Sequence, residues 1–152
     1  MTREPLYLEF DLGDLERLPK VVQKALPIAL EIVAIALQSE MIFEAPAATG
    51  RLRSSINFPR QFGPLAFGIK VGAEYWAYVQ FGTGLHGPEH RAYDIFPVNR
   101  KALKFVVGGQ TVFSKYVKDH PGMKPNPFVD RAIENVEPKI PSAVSQALAE
   151  VF

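Results

Sequence analysis

YWAYVQFGTG, residues 75–84, is the stretch from which the rest of the chain is read. Tyr75, Trp76, Tyr78 and Phe81 fall within seven residues, and the run stops at Gly82-Thr83-Gly84, where glycine tolerates backbone angles closed to other residues. With a period of two, Tyr75, Ala77, Val79 and Phe81 share a face; with a period of 3.6, Tyr75, Tyr78 and Val79 do. Ala77 and Gln80 suit a helix better than a strand, and Glu74 can serve as a first-turn acid. One or two helical turns ending in a forced turn at Gly82 are therefore expected. Trp76 and Tyr78 are expected to anchor a sheet to the helices, because aromatic side chains of this size dominate core burial.

Upstream, Leu6, Leu8 and Phe10 alternate with polar neighbours and predict a short strand. Asp14 offers an N-cap and Glu16 a first-turn acid for a long helix running to about Phe43, although Pro19 can delay its regular start. Residues 26–37 are almost wholly apolar, so this helix is expected to be covered on most sides, with a kink at Pro27. The apolar run is about a dozen residues, short of the roughly 20 that span a bilayer. Leu52, Ser54, Ile56 and Phe58 alternate with neighbours that include Arg51 and Arg53. A strand is expected there, returned by residues 66–71 through a loop at 59–64, with both arginines on the face opposite Leu52.

Downstream, residues 85–93 form a polar loop punctuated by Gly and Pro, carrying His86, His90 and Arg91. Strands are expected at 94–97 and 103–107. Gly108-Gly109 then makes a tight hairpin returned by 111–117. In HPGMKPNPF, residues 120–128, Asn126 is placed to cap a helix and Pro127 to open it, giving Phe128, Ala132, Ile133 and Val136 one apolar face. Pro138 and Pro141 interrupt before a last helical piece. The fold class read from this is α+β: a long N-terminal helix and a C-terminal helix packed on a mostly antiparallel sheet of four to six strands, in one domain over residues 1–152.

The chain is 152 residues long, 47% hydrophobic and 22% charged, which is enough for one core. It has no cysteine, hence no disulfide framework and no thiolate chemistry, and its acidic N-terminus does not fit a signal peptide. The net charge of +1 is unevenly distributed. Residues 1–50 carry 4 basic and 8 acidic side chains, residues 51–124 carry 11 and 4, and residues 125–152 carry 2 and 4. A basic middle between acidic ends suits a solvated surface, a phosphate-bearing partner, or attraction between neighbouring subunits.

Motifs that would carry catalysis are weak. Gly82, Gly84 and Gly87 satisfy G-x-G-x-x-G, but Pro88 follows, no helix opens there, and Ala102 stands where an acidic ribose ligand would be sought. His86 and His90 are separated by Gly87-Pro88, which prevents the helix that would put both on one face, so no metal site is expected. Ser54 and Ser55 lack a neighbouring base, and carboxylates are sparse in the middle of the chain. No catalytic residue, cofactor or metal is expected.

The ordered set APAATGRLRSSI (45–56), YWAYVQFGTG, the strand pair around FVVGG, and HPGMKPNPF resembles the tail-component family of long-tailed phages, also described as neck or tail-completion proteins. The resemblance covers residues 12–137 and rests on Thr49-Gly50-Arg51-Leu52 with Ser55, on Tyr75, on Phe81-Gly82-Thr83, and on Pro121-Gly122 with Pro125, Pro127 and Phe128. Gln80 stands where family members often have Glu, and Trp76 replaces a commoner small residue, so contacts at these two positions are not carried over from the family.

The resemblance implies a structural virion protein of the head-tail junction, made in the host cytoplasm and working as a homo-oligomeric ring. Its partners are then a head connector or head-completion protein and the tail terminator or tail tube. DNA passes transiently through the lumen, and no membrane is involved. Structural or interface candidates are Arg51, Arg53, Tyr75, Trp76, Tyr78, Phe81, Gly82, Arg91, Arg100, Lys101 and Phe128, with the loop 85–100 as docking segment. The rival readings are a small nucleic-acid-binding or other phage-derived assembly module using the basic middle, and an enzyme built on converging histidines and carboxylates.

Overall fold

The computed structural model describes the backbone of residues 6–9 and residues 17–152 in full. The expected caps Asp14 and Glu16 lie outside the described residues. The architecture is α+β, with a long N-terminal helix, a C-terminal helix and antiparallel strands. The described strands fall into three small sheets rather than one of four to six strands. The chain divides into two compact units, Met1–Trp76 with Pro127–Phe152, and Ala77–Asn126.

The first unit is built around α1 (Lys20–Glu44). Pro19 precedes it in an extended conformation, and the helix then runs without interruption through Pro27. It packs against α4 (Phe128–Val136), α5 (Ile140–Val151) and strand β3 (Ala66–Ile69). At 25 residues with a mean hydropathy of 1.7 over an 18-residue window, α1 is long and apolar enough to cross a membrane, more so than the dozen-residue run led one to expect. Its packing accounts for that apolarity on one side. Ala25, Ala29, Leu30, Val33, Ala34, Leu37 and Met41 are buried.

Ala25 and Ala29 cluster with Ala147, flanked by Ile28, Val144, Leu148 and Val151, and the small side chains let the two helices approach closely. Leu30 and Ala34 pack on Phe67 with Leu65, which fastens the sheet to the helix. Phe128, Met41 and Ile69 are the largest fully buried side chains. The outer side of α1 is not covered as expected. Ile35 and Ile42 are only half-buried, and Phe43 is 74% exposed.

Strand β1 (Leu6–Glu9) and strand β2 (Arg60–Gly63) flank β3 in antiparallel order β1-β3-β2, with Leu6 opposite Ile69 and Arg60 opposite Gly68. A hairpin into β3 exists, but it is not the expected one: its first strand, Arg60–Gly63, occupies the residues expected to form the loop. Residues Arg51–Ser54 instead form a single helical turn, α2. Gly50 at φ +72° turns the chain into it, and Leu52 is buried at 2% exposure. Of the expected strand only Ile56 remains, as an isolated bridge to Val71.

The stop at Pro138 and Pro141 is a short 3-10 turn, Glu137–Lys139, leading into α5. Helix α4 opens after Pro127, which is the capping residue, so Asn126 is not the cap. The buried face of α4 is Phe128, Val129, Ala132 and Val136, whereas Ile133 is 42% exposed.

The second unit starts within α3 (Trp76–Phe81), the helical turns expected of the aromatic stretch. A 3-10 turn (Gly84–His86) comes next, inside what reads as a plain loop. Strand β4 (Tyr93–Ile95) pairs with β7 (Val117–His120), and β5 (Leu103–Val107) pairs with β6 (Gln110–Ser114) across Gly108-Gly109. Both glycines have positive φ, +57° and +80°, as this two-residue turn requires. The return strand ends at Ser114 rather than at Val117, and residues 117–120 belong to a different sheet.

Candidate interaction surfaces

Arg53 illustrates how the sequence-predicted residues are used. Its Nε donates to the Ala45 carbonyl at 2.7 Å and its Nη2 to the Phe43 carbonyl at 3.1 Å. From α4, Arg131 donates through Nη2 to the Glu44 carbonyl at 3.2 Å and through Nε to the Glu44 carboxylate at 2.6 Å. The last carbonyls of a helix lack intrahelical donors, and the negative end of its dipole attracts cations. Two arginines from different elements thus close the end of α1. Arg51 is exposed, with its guanidinium 5.9 Å from the centroid of the Tyr75 ring. The expectation of two arginines on the strand face opposite Leu52 is corrected accordingly, since Arg51–Ser54 is a helical turn. Arg131 was not legible as their counterpart, because its partner lies 87 positions away.

On the same side, Glu40 and Glu44 stand one turn apart on α1. Asn135 Nδ2 donates to Glu44 at 3.1 Å, and Lys139 Nζ donates to Glu40 at 2.6 Å. The hydrogen bond from Lys139 holds the Glu40 carboxyl below its ordinary pKa, against the desolvation that would raise it; the Lys139 charge and Asn135 act in the same lowering sense.

The aromatic stretch divides. Ala77, Val79 and Gln80 are buried, Tyr75 and Trp76 are half-buried, and Tyr78 and Phe81 are 45% and 50% exposed. Tyr78 is therefore not a core anchor: in the short helix the small and aliphatic side chains turn inward. Gln80, at 3% exposure, occupies a position where a neutral amide is cheaper to bury than the carboxylate common in the family it resembles.

Gly82 ends α3 at φ +76°, as expected for a forced turn, and begins a clasp with the segment 121–126. The Thr83 amide donates to the Met123 carbonyl at 2.9 Å, and the Met123 amide returns to Thr83 Oγ1 at 2.9 Å. The Leu85 amide donates to the Pro121 carbonyl at 2.8 Å, and the Asn126 amide to the Val79 carbonyl at 2.7 Å. Gly122, at φ +88°, lies so close to the Thr83 backbone that no side chain fits between them. A Cβ on Gly87 would come within 2.8 Å of Thr83 Cα. A Cβ on Gly84 would come within 2.8 Å of Gly122 Cα, so the three glycines of the G-x-G-x-x-G pattern serve backbone contact within the unit.

The other chemical candidates are accounted for locally. Ser54 Oγ donates to the Arg51 carbonyl and Ser55 Oγ to the Leu52 carbonyl. His120 Nδ1 accepts from the Gly122 amide at 3.0 Å, while His86 and His90 are exposed. Among the described residues, no three His, Cys, Asp or Glu side chains are grouped to hold a metal ion.

Two surfaces stand out in their place. Hairpin β5–β6 exposes Val106 (66%), Val107 (58%) and Phe113 (67%), with Arg100, Lys101 and Lys104 exposed at its base. On the first unit, α1 and α5 form an open groove of about 210 Å³ lined by Ile32, Val33, Ala36, Val136, Lys139, Ser142, Ala143 and Gln146. Arg91 is exposed in its loop, whereas Phe128 is wholly buried and acts in the core.

Residues 12–82 match the model of the family described as "Bacteriophage HK97-gp10, putative tail-component". Over this segment the chain is similar to phage tail components. The match begins ahead of α1 and runs through α1, α2 and β3 to Gly82, and includes the Thr49-Gly50-Arg51-Leu52 and Phe81-Gly82 signatures that carry the resemblance. It supports a structural role in a phage particle. No curated protein and no solved structure matches the chain.

Proposed function

We propose that the protein is a neck or tail-completion component that assembles as a ring at the head-tail junction and joins the DNA-filled head to the tail. The observation that carries this reading is the apolar surface left open in a chain similar to phage tail components: Phe43 of α1 in one unit, and Val106, Val107 and Phe113 in the other. A two-stranded hairpin is marginal in water without a further layer, and subunits closing a ring supply such layers on both sides. The partners of the ring are then a head connector or head-completion protein and the tail terminator or tube. DNA passing through the lumen needs no sequence readout.

The docking segment is the loop 85–100. Its first part is fixed by the clasp at Leu85 and by Arg91, whose amide donates to the Gly84 carbonyl at 3.1 Å. Its later part carries exposed Phe96 (62%), Val98 (91%) and Arg100, a mixture suited to a protein surface. The test is to reverse Arg91, Arg100 and Lys101 together and to assay joining of heads to tails beside DNA binding. Folded protein with failed joining supports the reading. Normal joining with lost DNA binding favours the nucleic-acid module instead, whose affinity should fall steeply with salt.

A further inference from the structure

We infer that hairpin β5–β6 is an arm that docks on a second copy of this chain, with Phe113 entering the open groove between α1 and α5 of that copy; the inference rests on the ring reading and names the contact that closes the ring. Lys104, Val106, Thr111 and Phe113 share one face of the hairpin, since Lys104 pairs with Phe113 and Val106 with Thr111. Three of them are apolar or carry a methyl group, and the face is exposed. Its partner must be concave and apolar, and the groove fits. Ile32, Val33, Ala36, Val136 and Ala143 line it, and its volume of about 210 Å³ exceeds the roughly 150 Å³ in which an apolar cavity takes up a benzene ring.

Charge points the same way. Between residues 98 and 118 there are five basic side chains, Arg100, Lys101, Lys104, Lys115 and Lys118, and no acidic one. All five are exposed. Residues Ala77–Asn126 carry 7 basic and 3 acidic side chains, and the other unit 10 basic and 13 acidic. On α1, α4, α5 and the 3-10 turn between α4 and α5, Glu31, Asp130, Glu134, Glu137 and Glu150 are exposed, against exposed Lys20 and Lys24 on α1, while Arg131 and Lys139 are engaged with Glu44 and Glu40. A basic arm with an apolar tip face and an acidic surface with an apolar groove are different patches of one molecule. Such a pair makes a head-to-tail contact, which repeats around a ring.

The chain has no cysteine, so introduced ones report a single contact. Protein carrying Thr111→Cys, beside Phe113, is mixed with protein carrying Gln146→Cys, at the groove, and oxidised; the masses of the untreated and oxidised samples are measured. The expected result is an oligomer in which the two variants become disulfide-linked to each other. An oligomer with no such link overturns the docking and leaves the ring reading standing. Monomer at every concentration with no link overturns both. As a check independent of hairpin folding, Glu31→Lys with Glu137→Lys, which are next in sequence to the groove-lining Ile32 and Val136, should weaken assembly at least tenfold and increasingly at low salt; unchanged assembly overturns the docking.

Discussion

At the scale of single residues, the account rests on backbone positions that admit no Cβ. A Cβ on Gly82 would stand 2.7 Å from the Met123 carbonyl oxygen and 2.9 Å from the Pro125 nitrogen, whereas one on Gly108 would meet nothing within 4 Å. Both have positive φ, so both substitutions to Ala carry the left-handed penalty of about 1–2 kcal/mol. Gly82→Ala should cost distinctly more, because the clasp must open as well. Denaturant melting of the two variants checks this, and equal midpoints would dismiss the clasp. Arg53 and Arg51 offer a second contrast. Arg53→Met removes two charge-assisted hydrogen bonds to the end of α1 and should destabilise by about 1.5–3 kcal/mol. Arg51→Met loses only an exposed ring contact, worth at most about 1 kcal/mol. Similar melting of the two variants would mean that Arg53 does not close the helix. Gly82 could be read as a turn from the sequence, but its partners could not, since Met123 is 40 positions from Thr83.

At the scale of elements, Phe128 rather than Tyr78 ties the helices together. Phe128→Ala should cost about 3–5 kcal/mol, and Tyr78→Ala no more than about 1 kcal/mol, in calorimetric or denaturant unfolding. A larger loss for Tyr78 would restore it as a core anchor. The contact of α1 with Lys139 has a pH signature. Because the folded-state pKa of Glu40 is depressed, its contribution is present above the ordinary carboxylate range and is lost as pH falls through the lowered value. Lys139→Met should therefore flatten the acid side of the stability profile, and salt should do so partly, the pair being half exposed. An unchanged profile would show the pair to be energetically silent. Helix α1, hairpin β5–β6 and α4 were legible because their period, their Gly-Gly turn and their proline punctuation act locally. Helix α2 was not: the alternation from Leu52 to Phe58 fits a strand, and the choice was made by Gly50, by burial of Leu52, and by the carbonyls that Arg53 reaches. Strand β7 escaped because Val117-Lys118-Asp119-His120 has no apolar alternation and pairs with a segment more than 20 residues away.

At the scale of the whole molecule, the family match and the open apolar surfaces suit a protein whose stability and function are shared with neighbours. The exposure of the candidate surface residues was partly legible. The basic middle segment pointed to a partner surface, and Arg91, Arg100 and Lys101 are exposed there. The hairpin face and the groove were not legible, because exposure of Phe113 and the half-burial of Ile32 depend on which neighbours the fold withholds rather than on their own sequence context. The most direct measurement is complementation by electron microscopy: lysates of the phage lacking this protein are counted for DNA-filled heads, free tails and joined particles, before and after the purified protein is added. The account predicts complete heads and complete tails that stay apart until the protein is supplied, and joined particles afterwards. Joined particles without the protein would contradict it.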